Sequence, residues 1–383
     1  LDGDKSGIFG IRLMKHEKEM KDHDTEQKAV LYGFVRKGDE NSLSELRSLA
    51  ESANLNVLEE IAQRNAMPHP RFFISPGSVR ELKEVVELIQ PDMVIFDREL
   101  KGSQRNHLEE ELDVQAVDRT ELILDIFASR AKTSEGKLQV ELAQLLYQLP
   151  RLTGIGKSLS ALGGGIGTRG PGETKLEIDR RRIHQRIAHL KRELSDVERH
   201  RRIQRKSRMK SGILKVALVG YTNAGKSTLL NALTGTDAYV DDRLFATLDP
   251  LTRRGYLPLS EREFLITDTV GFIRRIPTQL IAAFKATLEE IKYADLLLVV
   301  VDITNEDYRE KIQVVEETLD EIGAGEIPKI VVFNKIDEPG DYPVPKPGEL
   351  TISAKWGYGI DELMQHIDRI TSEEPLPDRT KAD

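Results

Sequence analysis

Apolar residues fall at Ile183, Ile187, Leu190, Leu194 and Val197, spacings of 4, 3, 4 and 3 that mark a helix with one apolar seam. Leu138, Leu142, Leu145 and Leu149 carry the same rhythm, and Pro150 stops it because proline cannot continue a helix interior. Each seam needs an apolar partner. Between them lies the stretch 154–172 with eight glycines, so the spacing predicts an antiparallel helical hairpin with a glycine-rich tip. Upstream, short apolar runs at 29–34, 93–96 and 114–117 alternate with helical stretches at 42–53 and 79–88, and 119–130 forms a helix leading into the hairpin. That alternation predicts an α/β domain with a parallel sheet. Downstream of Ser211-Gly212, strands begin near Leu214, Phe264, Leu296, Ile330 and Leu350, a doubly wound pattern with its ligand at the strands' carboxyl ends. The expected organisation is a polar segment 1–25, an α/β domain 26–134, a helical arm with a glycine-rich loop 135–211, a doubly wound domain 212–372 and a polar tail 373–383.

Of the 383 residues, 39% are hydrophobic and 31% charged, a soluble globular balance long enough for two or three domains. The chain has no cysteine, which excludes disulfide scaffolds, thiolate zinc sites, iron–sulfur clusters and cysteine nucleophiles. The longest apolar run, 296–301, is far shorter than the ~18 residues of a membrane span, and the first 24 residues lack a secretory signal's apolar core. No membrane span and a cytoplasmic location are expected. The net charge of −8 argues against a nucleic-acid partner, but the average hides a segregation. Between Asp179 and Lys210 there are thirteen Lys and Arg against four Asp and Glu, a local +9 that leaves −17 elsewhere. Like charges at helical spacing repel one another, so this helix calls for an anionic partner, with nucleic acid the leading candidate. In the tip, glycines let backbone amides approach phosphates while Arg169 and Lys175 supply charge. The heptads can be satisfied within the arm, and a monomer is expected.

Gly220-Tyr221-Thr222-Asn223-Ala224-Gly225-Lys226-Ser227 matches the P-loop pattern, with an apolar strand at 214–219 before it and a helix opening at Thr228 after it. The glycines make the turn and the helix N-terminus faces the phosphates. Lys226 would reach the β- and γ-phosphates, and the Ser227 hydroxyl would ligate Mg²⁺. A strand at 264–267 leads into Asp268-Thr269-Val270-Gly271, where Asp268 can hold Mg²⁺ through water and the Gly271 amide can touch the γ-phosphate. Next come Asn334-Lys335-Ile336-Asp337 after the strand 330–333, and Ser353-Ala354-Lys355 after the strand near Leu350. Asp337 can accept from both the ring N1–H and the exocyclic amine of guanine, whereas adenine presents an acceptor there. Asn334 would brace the loop, the Lys335 stem would cover the base, and the Ala354 amide would donate to the guanine carbonyl. Order and spacing together point to GTP and GDP as ligands.

Three further segments carry a family resemblance: the signature from Gly163 to Arg182, with Gly-Thr-Arg-Gly-Pro-Gly-Glu-Thr-Lys at 167–175; Phe245-Ala246-Thr247-Leu248-Asp249-Pro250; and Asp268-Thr269-Val270-Gly271-Phe272. The chain resembles the HflX family of translation-factor-related GTPases over roughly 26–372. The resemblance implies a ribosome-associated GTPase whose N-terminal domain and arm bind the large ribosomal subunit near the peptidyl transferase centre, in dissociating or rescuing stalled ribosomes. The basic arm, with Arg169, Lys175, Arg180, Arg181 and Arg182, is then an rRNA contact. Thr247 would be the switch threonine that closes over Mg²⁺ and the γ-phosphate, although Thr252 lies in the same loop. Near the N-terminus the pattern departs from the family: His69 stands between Pro68 and Pro70 where an acidic residue is usual, and Ser75-Pro76 interrupts a glycine turn. With no second ligand at a recognisable spacing, His69 reads as a loop residue.

Phe272 follows Asp-x-x-Gly, the position of a water-orienting glutamine in many GTPases. An aromatic ring cannot do this, so intrinsic hydrolysis should be slow and large subunits should stimulate it, with positioning supplied from elsewhere in the chain or by the ribosome. Alternatively, Phe272 packs beneath the loop and another local group holds the water. Two competing functions remain at this stage: a GTP-dependent scaffold with negligible turnover, and a switch acting on an acidic protein surface or anionic lipid.

Overall fold

The computed structural model describes residues 26–35, 42–64, 68–153, 171–209, 213–236, 243–248, 250–275, 277, 279–280, 285–340, 342, 345–346 and 348–373, with backbone alone for 153, 171–176, 200–209, 285–287, 289 and 373. The chain divides into two compact units, residues 1–126 with 144–190 and residues 127–143 with 191–383.

In the first unit β1 (Lys28–Val35), α1 (Ser42–Ser52), β2 (Asn56–Arg64), α2 (Pro76–Ile89), β3 (Met93–Phe96), α3 (Gly102–Leu112) and β4 (Gln115–Asp118) follow one another. The sheet runs β2-β1-β3-β4 and is parallel throughout. β1 and β3 are apolar and buried along nearly their whole length, as a parallel sheet covered on both faces requires. Gly33 lets α1 sit directly on β1, because a Cβ there would come within 2.7 Å of the Leu43 side chain. Val30, Phe34, Ile74, Leu82, Phe96 and Leu108 share one core. Strand β2 and helix α3 are additions to the expected elements. β2 is a half-exposed edge strand without clean alternation, and α3 buries only Gln104, Arg105, Leu108 and Leu112 beneath a polar surface. The N-terminal departures have local roles: Ser75 caps α2, its hydroxyl accepting from the Ser78 amide at 3.1 Å with Pro76 in the first turn. His69 Nδ1 accepts from the Arg71 and Phe72 amides within its own turn.

Helix α4 (Arg119–Arg130) leads to α5 (Ser134–Gln148), a 3₁₀ turn at Leu149–Thr153 and the long α6 (Pro171–Met209). Ile183, Ile187 and Leu190 are buried while Arg180, Arg181 and Arg182 beside them are exposed, and the seam becomes half-buried at Leu194 and Val197. Leu142 and Leu145 of α5 are buried. Each compact unit takes one end of both helices: the C-terminal end of α5 goes with the N-terminal half of α6, and the other two ends go together. Arg169 and most of the glycine-rich tip lie outside the described residues, as does the Lys175 side chain.

In the second unit the sheet order is β10-β9-β8-β5-β7-β6, built from β5 (Leu214–Gly220), β6 (Leu251–Leu257), β7 (Arg262–Asp268), β8 (Leu296–Asp302), β9 (Lys329–Asn334) and β10 (Leu350–Thr351). Only β6, absent from the expected strands, is antiparallel to its neighbour. The helices are α7 (Lys226–Thr234), α8 (Lys285–Lys292), α9 (Tyr308–Glu321) and α10 (Ile360–Glu373). Successive β8 side chains serve opposite layers: Leu296, Leu298 and Val300 pack in one core, Leu297, Val299 and Val301 in the other. The fold is therefore α/β, with a parallel sheet in each unit and the P-loop at the carboxyl end of central β5.

Candidate functional site

β5 ends at Gly220, whose φ of +151° carries the chain so close to β8 that a Cβ would meet the Val300 carbonyl oxygen at 2.2 Å. The turn closes at Gly225, with φ +88° and no room for a Cβ against Asn334 Nδ2. This turn delivers the N-terminus of α7 to a cleft of about 510 Å³, lined by Thr222 and Gly271 at one end and by Asp337 and Lys355 at the other. Asn223, Gly225, Lys226, Ser227, Thr228, Thr247, Asn334 and Lys335 line it too, while Ala224 is buried behind the loop.

Lys226 Nζ is buried and donates to the carbonyls of Tyr221 at 2.9 Å and Gly220 at 3.3 Å. Burial pulls its ammonium down to about 8, opposed by the nearby Asp268 carboxylate. An anionic phosphate entering the cleft would add to the Asp268 charge in favouring the ammonium form. Asp268, at the end of β7, is buried and its carboxyl is pushed up by that burial, against the Lys226 charge and the hydrogen bonds from Ser227 and Thr247. Three oxygens converge: Ser227 Oγ and Thr247 Oγ1 donate to Asp268 Oδ2 at 2.6 and 2.8 Å and lie 2.9 Å from each other. One carboxylate and two hydroxyls form an all-oxygen donor set, which fits a small hard divalent cation completed by phosphate oxygens and water. Thr252 instead pairs with Thr267 on the neighbouring strand at 2.9 Å.

At the base end, one amide ties the loops together. Asn334 Nδ2 donates to the Ala224 carbonyl at 2.9 Å, and its Oδ1 accepts from the Ala354 amide at 2.9 Å. The Ala354 N–H, expected to meet the guanine carbonyl, is thus engaged within the protein. Lys335 adopts φ +73° and pairs with Asp302 at 2.7 Å, which fixes its stem along the cleft. Asp337 is exposed at the mouth of the cleft, and the Ser353 hydroxyl holds its carboxyl below the usual carboxylate range. Ser353 itself is fully buried.

Gly271 lies against the P-loop so closely that a Cβ would stand 2.8 Å from Thr222 Cα. Phe272 is 1% exposed and packs with Val219, Leu297 and Val299 beneath the loop. Its backbone pairs with the P-loop: the Thr222 amide donates to the Phe272 carbonyl at 2.9 Å, and the Phe272 amide to the Gly220 carbonyl at 3.0 Å. Of the two readings of Phe272, the geometry is that of a buried core residue. Sequence reasoning missed the support of the Thr247 segment. Phe245 has φ +59°, is 3% exposed, and meets the Phe127 ring at 4.6 Å. No local pattern announces a contact spanning more than a hundred residues.

Family models match end to end: "GTP-binding GTPase N-terminal" over 40–128, "GTP-binding GTPase Middle Region" over 130–208 and "50S ribosome-binding GTPase" over 215–335. The GTPase HflX of Caldanaerobacter subterraneus subsp. tengcongensis is 54% identical over 344 residues, covering 90% of this chain and 80% of the relative. The Escherichia coli GTPase HflX is 44% identical over 362 residues, 92% of this chain and 84% of that one. A crystal structure of a GTP-binding protein from Sulfolobus solfataricus in complex with GDP is 28% identical, covers 91% of this chain and 99% of its own, and superimposes with a TM-score of 0.46. With relatives this similar over four-fifths of their length, and with the P-loop and its companion loops folded about one cleft, the chain belongs to the HflX family of GTPases and hydrolyses GTP.

Proposed function

We propose that this GTPase binds the large ribosomal subunit, using the nucleotide cleft as the switch and the basic arm as the rRNA contact, in the dissociation or rescue of stalled ribosomes. The observation that carries the reading is charge segregation on a helix: Arg180, Arg181 and Arg182 stand exposed on α6 beside a buried apolar seam, in a chain whose residues outside 179–210 sum to −17. A seam packed internally leaves the basic side chains at the surface, where a polyanion can reach them. The match of 215–335 to a family described as "50S ribosome-binding GTPase" supports the same partner. Arg169 and Lys175 extend the contact along the tip, and the protein acts as a cytoplasmic monomer.

In the cleft, Gly220 to Thr228 wrap the phosphates with backbone amides, Lys226 neutralises the β- and γ-phosphates, and the Gly271 amide touches the γ-phosphate. Ser227, Thr247 and Asp268 would hold Mg²⁺, which when bound neutralises charge on the β- and γ-phosphate oxygens. Lys226, Thr247 and Gly271 stabilise the charge that spreads over the γ-phosphoryl oxygens in the transition state. Asp337 selects guanine, Asn334 and Ala354 brace the loop that carries it, Lys335 covers the base, and Ser353 and Lys355 complete its edge.

Co-sedimentation with purified large subunits tests the proposal. With a non-hydrolysable GTP analogue the chain should pellet with the subunits, more than with GDP, and binding should weaken steeply between about 50 and 200 mM salt. Replacing Arg180, Arg181 and Arg182 together by Glu should abolish it. Binding indifferent to salt and to these replacements, or capture by anionic vesicles in place of subunits, would reject the rRNA contact.

A further inference from the structure

Burial of Phe272 leaves the hydrolytic reaction without its usual water-orienting side chain, and the structure offers a replacement in the P-loop itself. Thr222 is 7% exposed, and its Oγ1 is buried with no hydrogen-bond partner among the described residues. A buried hydroxyl left unpaired is costly, so it is unusual in a native core and calls for a partner absent from the free chain. The side chain stands where the reaction must occur. A Cβ built on Gly271 would lie 2.8 Å from Thr222 Cγ2 and 3.0 Å from Lys226 Nζ, so Thr222, the Gly271 turn and the Lys226 ammonium face one point at the cleft's phosphate end. Its backbone is pinned there by the hydrogen bond from its amide to the Phe272 carbonyl.

Cγ2, not Oγ1, now faces Gly271. The three staggered positions on Cβ interchange by steps of about 120° in χ1, and threonine populates more than one of them, so a single step brings Oγ1 to the place Cγ2 occupies. From there the hydroxyl can accept a hydrogen bond from a water and donate its own proton to a phosphate oxygen.

We propose that Thr222 positions the attacking water for GTP hydrolysis, in the role that Phe272 cannot fill. The water oxygen forms the new bond to the γ-phosphorus as the bond from that phosphorus to the β,γ-bridging oxygen breaks. The electron pair of the broken bond leaves with GDP, and the water's protons end on inorganic phosphate and solvent. Thr222 orients the water and is unchanged at the end of the turnover. The inference deepens the reading of the cleft given above and rests on it.

Three variants of the full chain separate the possibilities: Thr222→Val, which keeps shape and loses the hydroxyl, Thr222→Ser, which keeps the hydroxyl, and Lys226→Ala. Single-turnover and steady-state GTP hydrolysis are measured alongside GTP and GDP affinities from fluorescently labelled nucleotides. Thr222→Val should lower kcat on the order of 10- to 100-fold, with KM and GDP affinity within about twofold of the parent, and Thr222→Ser should stay within about threefold in kcat. An unchanged kcat in Thr222→Val overturns the proposal. So does an equal loss in Thr222→Ser, or a parallel fall in GDP affinity, since both mark a packing role. If Lys226→Ala retains full turnover, the reading of the cleft fails. If Lys226→Ala is inactive and Thr222→Val is not, only the role of Thr222 falls.

Discussion

Asn334 carries more of the site than its motif suggests. Its amide bridges two different loops, donating to the Ala224 carbonyl and accepting from the Ala354 amide. Asn334→Ala leaves both partners buried and unpaired, which should cost about 1–3 kcal/mol each in denaturant unfolding and weaken GTP and GDP binding equally. A variant that loses GTP but keeps GDP would mean that Asn334 senses the γ-phosphate instead. Asp337 makes a different prediction, because its carboxyl is exposed at the mouth of the cleft, where the proposed function has it read the base. Asp337→Asn exchanges one acceptor for a donor, so kcat/KM for GTP should fall on the order of 10²-fold or more, and xanthosine triphosphate, with an acceptor in place of the exocyclic amine, should gain. An unchanged GTP-to-XTP ratio would remove Asp337 from base recognition. Most polar members of the cleft were legible because they belong to motifs whose spacing reflects phosphate or base geometry; Thr247 was legible only through the family resemblance, and Arg243 and Glu338, which also line the cleft, carried no such signal. The engagement of the Ala354 amide, the Thr222 hydroxyl left without a partner among the described residues and the left-handed backbone of Phe245 were not legible, since each depends on which neighbour a fold brings near.

Elements were legible where their patterns were strong. β1, β3 and β8 are apolar runs buried in parallel sheets, and the 4-3-4-3 spacing marked α6. Elements at edges, β2 and β6, were missed because half-exposed strands lack a clean alternation. Long-range tethers were also illegible. Asp368 on α10 accepts from the Leu259 and Ser260 amides at 2.9 and 2.8 Å and so ties that helix to the turn between β6 and β7. Burial raises its carboxyl, but the Ser260 and Leu259 hydrogen bonds and the Arg262 charge outweigh this and hold it below the usual carboxylate range. A carboxyl depressed in the folded state contributes stability above its unfolded pKa and loses it as pH falls through the folded value. Asp368→Asn should therefore destabilise by about 1–3 kcal/mol near neutral pH, with the gap closing as pH falls below about 4; a gap independent of pH would deny the charge a role. On α4, Phe127→Ala should cost about 3–5 kcal/mol, because it removes a ring from a packed aromatic pair. Since the partner ring belongs to Phe245, affinity for a non-hydrolysable GTP analogue should fall more than affinity for GDP.

Across the whole molecule, charge and chemistry are kept apart: +9 on one helical segment against −17 elsewhere, and a GTP cleft in the second unit whose own water-orienting position is filled by a core phenylalanine. The composition average concealed this arrangement, and position along the chain disclosed it. The reading that joins the two parts is that docking of the basic arm on rRNA governs turnover in the cleft. Steady-state GTP hydrolysis with and without purified large ribosomal subunits, at low and high salt, tests that link most directly. Slow hydrolysis by the free chain, strongly stimulated by subunits at low salt and losing most of that stimulation at high salt, is the predicted result. Equal rates with and without subunits, in a chain that still binds GTP, would contradict it.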